Sequence, residues 1–92
     1  MNQKVVFITG CGSGIGRALA ESFYERGCRV VGTDRCPDRL GGLAGVGITC
    51  LELDVNDSPS VRKVVDEVFR MEGRIDVLVN NAGGMVARRA LE

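Results

Sequence analysis

Four short apolar runs punctuate the chain, and each gives way to a polar or glycine-rich break. The first is Val5, Val6, Phe7 and Ile8. A run this short, with no polar position inside it, reads as a strand buried on both faces. From residue 15 to residue 26 the period changes. Apolar residues recur at Ile15, Ala18, Leu19 and Phe23, the spacing of one helical face, with Arg17, Glu21 and Glu25 turned outward and Tyr24 expected inside. Arg26 in the last turn and Gly27 just beyond it end that helix. Residues 29–33 form the second strand, which finishes at Asp34, and Gly32 within it marks a place of close approach. Between residues 35 and 47, Pro37 can open a helical turn at Asp38, but Gly41, Gly42, Gly45 and Gly47 limit it to one or two turns. The third strand is expected over 48–53, running into Asp54 and Val55. The third helix has the firmest signals: Ser58 as cap, Pro59 at the first helical position, Val61, Val64, Val65 and Val68 on one face, and Gly73 after the end. A fourth strand over 75–79 leads into Asn80-Asn81-Ala82-Gly83-Gly84.

Strand and helix alternating in this way imply a parallel sheet with right-handed crossovers. The fold class is therefore α/β, a doubly wound parallel sheet of about four strands in the order 3-2-1-4, with a ligand crevice between strands 1 and 4 at their C-terminal ends. Two turns land at that crevice. One is Thr9-Gly10-Cys11-Gly12-Ser13-Gly14-Ile15-Gly16, with four glycines in eight residues between a strand and a helix. Glycines permit a tight turn and close backbone approach, and the following helix N-terminus offers unpaired N–H groups and a positive dipole end, the geometry that holds a pyrophosphate. The other is Asn80-Asn81-Ala82-Gly83. Asp34, at the end of the second strand, is placed to accept hydrogen bonds from the adenine-ribose hydroxyls and to repel a 2′-phosphate, which favours NAD; Arg35 beside it can pair with that phosphate, which leaves NADP as the alternative.

Twelve acidic residues balance twelve basic ones in a chain of 92. Nothing in that balance points to nucleic acid or a membrane surface as partner, and the apolar runs fall far short of the roughly 20 residues that span a bilayer. The length allows one small domain, residues 1–92. The cysteines Cys11, Cys28, Cys36 and Cys50 form no C-x-x-C and the chain has no histidine, so a zinc site is not expected. Cys28 and Cys50 read as small core residues. Cys11 lies in the phosphate turn and could be reactive there, because a helix N-terminus lowers a thiol pKa. A reducing cytoplasm is the expected compartment.

The pattern T-G-x-x-x-G-x-G through Thr9, Gly10, Gly14 and Gly16, together with Asp34, Asp54-Val55 and Asn80-Asn81-Ala82-Gly83, resembles the short-chain dehydrogenase/reductase family in its short branch. The extended branch has T-G-x-x-G-x-x-G, and Ser13 here stands where its middle glycine would be. The resemblance spans essentially the whole chain and implies a Rossmann-type fold and an NAD(P)(H)-dependent oxidoreductase that moves hydride between nicotinamide and an alcohol or carbonyl. It implies cofactor contacts from Gly10, Cys11, Gly12, Ser13, Gly14, Ile15 and Gly16, with Ser13, Ile15 and nearby N–H groups meeting the pyrophosphate and its riboses. It makes Asp54 a partner of the adenine amino group, with Val55 closing over the ring. Asn80 would fix the sheet and meet the adenosine ribose, and Ala82 and Gly83 would line the way to the nicotinamide.

The same resemblance implies a Tyr-x-x-x-Lys pair and a serine, the lysine lowering the tyrosine pKa for acid–base work. Here Tyr24 is the single tyrosine, Cys28 follows it at the fourth position, and the lysines are Lys4 and Lys63. The chain thus reads as a partial dinucleotide-binding domain with no catalytic residue. A non-catalytic dinucleotide-binding or interaction module is the rival reading. A nucleoside-cofactor methyltransferase shares the glycine turn but not Asn80-Asn81-Ala82-Gly83. The apolar fourth strand would lie at an open edge, which invites self-association, a missing C-terminal half, or residues 85–92 folding back over it.

Overall fold

The computed structural model describes residues 3–12, 14–81 and 87–89. Its strands are β1 (Val5–Thr9), β2 (Arg29–Asp34), β3 (Thr49–Glu52), β4 (Val77–Asn80) and β5 (Ala87–Arg89). The helices are α1 (Gly14–Glu25), α2 (Leu43–Val46) and α3 (Ser58–Glu72), with a single 3₁₀ turn at Pro37–Leu40 before α2. The sheet order is β3-β2-β1-β4-β5, parallel through the first four strands. The expected 3-2-1-4 order is therefore present. The fifth strand returns antiparallel along β4, pairing Val77 with Arg89 and Val79 with Ala87. Of the arrangements expected for the β4 edge, the chain's own return is the one seen.

Side chains alternate across the central strands and feed two cores. On one face Val6, Ile8, Val30 and Val79 meet Ala20 of α1, Leu40 of the 3₁₀ turn and Leu43 of α2. On the other, Phe7, Val31, Leu53 and Ile75 meet Val64 and Val68 of α3. β1 is buried along its whole length, as its unbroken apolar run requires. Among the described residues no helix is long and apolar enough to cross a membrane.

Several local expectations shift. In α1 the buried positions are Gly16 and Ala20, with Leu19 and Phe23 packed beside them, whereas Ile15 is 61% exposed and Ala18 faces out. The two small residues bring the helix close to the sheet, and that rotates the apolar stripe away from Ile15. Tyr24 is not in the core either; it is 38% exposed and lies across Gly47, where an added Cβ would stand 2.3 Å from its hydroxyl. In α3 the N-cap is Asp57, not Ser58, and Ser58 and Pro59 occupy the first two helical positions. Proline is tolerated in the opening turn because the first N–H groups of a helix lack intrahelical partners in any case. Gly73 closes α3 at φ 80°, its N–H donating to the Phe69 carbonyl at 2.8 Å. β3 and β4 are each shorter than expected, 49–52 and 77–80.

Asp76 locks the start of β4 to β1. Its carboxylate accepts the Val5 N–H at 2.7 Å and the Arg74 guanidinium at 2.6 Å, while its own N–H donates to the Val5 carbonyl at 2.9 Å. The bonds from Arg74 first, then that from Val5, hold the Asp76 carboxyl below its ordinary value of 3.8. A carboxyl depressed by folding contributes stability above its unfolded pKa, and the contribution disappears as pH falls through the folded value. Asp76→Asn is accordingly expected to lower the thermal midpoint near neutrality, and the gap from the unaltered chain should narrow as pH falls below the ordinary carboxyl value of 3.8 and toward the lower folded one. Thermal melts across that range check it; a gap that persists undiminished in acid would contradict this role.

Candidate functional site

The turn after β1 is held from three sides. The Cys11 N–H donates to the Thr33 carbonyl at 2.9 Å, and the Thr33 hydroxyl donates to the Ile8 carbonyl at 3.0 Å, so the turn is bolted to β2. The Gly12 N–H donates to Asp34 Oδ1 at 3.2 Å, and Asp34 Oδ2 accepts the Cys36 N–H at 2.9 Å. From the β4 side, Asn81 Nδ2 donates to the Gly10 carbonyl at 3.1 Å, and the Thr9 hydroxyl donates to Asn80 Oδ1 at 3.1 Å. The glycines at 12 and 16 are required for space. A Cβ on Gly12 would lie 2.5 Å from Arg39 Cβ, and one on Gly16 would lie 2.2 Å from the Gly10 carbonyl oxygen.

Beside this turn opens a cleft of about 360 Å³, lined by Gly10, Asp34, Arg35, Cys36, Arg39, Leu53, Asp54, Val55, Asn56 and Asn81. It sits at the C-terminal ends of β1, β2 and β3, the end of a doubly wound sheet where ligands bind. Asp34 is supplied by the last position of β2, and its carboxylate is oriented by the two N–H groups it accepts. Asp54 follows β3; its Oδ1 accepts the Asn56 N–H at 2.9 Å, a local turn that fixes the carboxylate at the mouth of the cleft. Val55 adds an apolar wall.

Of the residues singled out in the sequence, Gly10, Asp34, Arg35, Asp54 and Val55 line this one cleft. Gly12, Gly14, Ile15 and Gly16 form the adjoining turn and helix start. Asn80 is not among the lining residues; it ties β4 to β1 through Thr9, the sheet-fixing part of what the resemblance implies. Ser13, Ala82 and Gly83 lie outside the described residues. Cys11 does not take the reactive option. It is fully buried, its thiol donates to the Ile8 carbonyl at 3.5 Å, and burial pushes the thiol up to about 11 despite the Thr33 backbone bond that pulls it down. Burial dominates, so Cys11 is a packing residue and not a reactive thiol. It fills the space above Gly32, where a Cβ would stand 3.2 Å from its sulfur. The close approach at Gly32, expected from a nucleotide or helix, is made by the Cys11 side chain of the turn. The sequence pattern gives Asn81 no role beyond its place in the turn that lands at the crevice, and Arg39 none. The first could be found only from its position one residue past the strand end, the second only from the way the 3₁₀ turn folds over Gly12.

The family profile described as short chain dehydrogenase matches residues 4–92. An NADPH-dependent 1-acyldihydroxyacetone phosphate reductase of Schizosaccharomyces pombe is 41% identical over 92 residues, covering 98% of this chain and 31% of that protein. Among solved structures, a short-chain dehydrogenase from Streptomyces avermitilis superposes with a TM-score of 0.83 at 38% identity, over 87% of this chain and 31% of the other. A 3-ketoacyl-(acyl-carrier-protein) reductase from Brucella melitensis complexed with NADH superposes with a TM-score of 0.77 at 32% identity, over 83% of this chain and 32% of the other. The chain therefore spans about a third of the length of the proteins it matches.

Proposed function

Because the chain belongs to the short-chain dehydrogenase family, we propose that residues 1–92 are one partial dinucleotide-binding domain, the cofactor-binding part of an NAD(P)(H)-dependent oxidoreductase acting on an alcohol or carbonyl. The observation that carries this is convergence: the glycine turn, Asp34, Asp54 and Asn81 come from four separate stretches of chain and meet at one cleft. The residues fit the group. A volume of about 360 Å³ falls in the range of roughly 300–1,000 Å³ usual for small-molecule sites. Gly12 and Gly16 keep two crowded positions of the turn and helix start free of side chains, and Asp34 presents an oriented carboxylate beside them.

In this reading the turn and the α1 N-terminus hold the pyrophosphate, Asp34 takes the adenine-ribose hydroxyls, and Asp54 with Val55 takes the adenine. When bound, the nicotinamide supplies or accepts the hydride. Asn81 holds the Gly10 carbonyl, which fixes the turn against the end of β4. We favour NAD over NADP on the strength of the Asp34 carboxylate, with Arg35 and Arg39 lining the same cleft as the countervailing charges. A relative named for NADPH and a neighbour solved with NADH both belong to the matched set.

A second reading is a dinucleotide-binding or interaction module without chemistry of its own; these 92 residues, which hold no Tyr-x-x-x-Lys, do not separate the two. Both readings share an expected result for the chain itself, which is weak binding without turnover. Titration with NAD(H) by calorimetry or fluorescence should show a Kd of about 1 mM, roughly −4 kcal/mol. Absence of any binding would overturn the reading of the cleft. Robust alcohol oxidation by the 92 residues would overturn the assignment of the chemistry to residues outside them.

A further inference from the structure

Arg17 stands one residue past Gly16 on α1 and is absent from the residues that line the cleft. Its guanidinium nevertheless reaches the loop that forms the cleft wall. Nη1 donates to the Arg39 carbonyl at 3.1 Å and Nη2 to the Gly41 carbonyl at 2.5 Å. The loop is shaped to receive it: a Cβ on Gly42 would lie 2.9 Å from Nη2. On the loop's other side, Arg39 packs its Cβ over Gly12, and the Arg39 N–H donates to the Cys36 carbonyl at 2.9 Å. Arg35, Cys36 and Arg39 are all in the wall itself.

The helix that begins at the glycine turn is therefore joined to the wall by a two-pronged fork. A planar guanidinium with donors in fixed geometry can bridge two carbonyls at once, whereas a lysine ammonium is a compact charge on a flexible stem. The i,i+4 partner Glu21 stands 3.9 Å away and is half exposed, too loose and too solvated to set the orientation of Arg17 alone. The carbonyls do so.

We infer that Arg17 is a positioning residue: its fork on the Arg39 and Gly41 carbonyls sets the adenosine wall of the cleft relative to the phosphate turn, without touching the nucleotide. The inference rests on the reading of the cleft as a dinucleotide site. It separates two halves of that site, since the wall faces adenosine and the turn faces phosphate.

The test uses Arg17→Lys, which keeps the charge and helix propensity but loses the fork, and Arg17→Gln, which loses both. Each is titrated with 5′-AMP and with inorganic pyrophosphate by amide chemical-shift changes, alongside a thermal melt. The expected result for both variants is AMP binding weaker by roughly tenfold, pyrophosphate binding within about twofold of the unaltered chain, and a melting midpoint moved by only a few degrees. AMP binding as tight as in the unaltered chain would overturn the role of Arg17 while leaving the cleft's reading intact. So would parallel loss of both ligands with a collapsed midpoint, which would mark Arg17 as merely structural. Failure of the unaltered chain to bind AMP would instead overturn the reading of the cleft, and this inference with it.

Discussion

Replacing Gly16 by alanine is expected to do more damage than any other single methyl added to the glycine turn. The new Cβ would lie 2.2 Å from the Gly10 carbonyl oxygen, 2.9 Å from its carbon and 2.7 Å from Asn81 Nδ2. Two of those atoms are Gly10 backbone, held by the Cys11–Thr33 backbone bond next to them and by the Asn81 bond, so no rotamer change relieves the contact. The helix must move off the turn or Asn81 must let go. Overpacking of this kind costs about 1–3 kcal/mol and more where backbone cannot yield. In a domain of this size each kcal/mol moves the midpoint by about 4–8 °C, so a fall of roughly 10–20 °C is expected, with dinucleotide binding abolished. Gly14→Ala provides the contrast. Gly14 has nothing within 4 Å of its Cβ position but sits at φ 59°, so its cost is conformational, about 1–2 kcal/mol. Thermal or urea unfolding of both variants gives the ranking, and a Gly16→Ala midpoint no lower than that of Gly14→Ala would sink the steric account.

The contrast between these two glycines bears on how much of the molecule its sequence discloses. The strands of the central sheet are legible because burial on both faces leaves an unbroken apolar run, as in β1, where all five residues are buried. The ends of α3 are legible to within a residue because Pro59 and Gly73 act locally. The face of α1 is not, because a helix packs by its smallest residues where it meets a sheet closely. Gly16 and Ala20 carry no hydrophobic signal to outweigh Ile15, yet they decide the rotation. The return of β5 along β4 depends on pairing between distant strands, which no local pattern in 87–89 encodes.

The candidate site divides the same way. Asp34 and Asp54 are legible since one ends β2 and the other comes two residues after β3, both at the crevice end of the sheet, and both line the cleft. Whether a thiol in a phosphate turn is reactive depends on burial, a tertiary quantity; Cys11 is sealed beneath the turn and its pKa moves opposite to the helix-terminus expectation. Arg17, Arg39 and Asn81 act through contacts between segments at least 22 residues apart, Arg17 to Arg39 and, across 71 residues, Asn81 to Gly10. Spacing rules see a helix, a turn and a strand end. They do not see which of two adjacent asparagines reaches back.

Asp34 carries the second large effect, on cofactor preference. Its two carboxylate oxygens are committed to the Gly12 and Cys36 N–H groups, which hold the charge in place beside the cleft; on the proposed reading of that cleft, a 2′-phosphate would be brought up against it. Two like charges about 4 Å apart repel by roughly 4 kcal/mol at an effective dielectric of about 20. Arg35 and Arg39 in the same wall offset part of that, so the net discrimination is smaller. Removing the carboxylate leaves both arginines facing the phosphate without opposition. Asp34→Ala is expected to raise the affinity for NADP relative to NAD by tenfold or more, about 1.4 kcal/mol. It also strips two backbone donors of their acceptor, at about 1–3 kcal/mol for each one left buried, so the chain should be less stable as well. Asp34→Asn separates the two consequences, since it keeps an acceptor oxygen for one of the N–H groups while losing the charge. The asparagine variant should shift preference nearly as far as alanine with a smaller fall in melting midpoint. Affinities for both cofactors, measured on the three chains under one salt condition, decide it. If neither variant gains for NADP relative to NAD, Asp34 supports the turn and does not choose the cofactor.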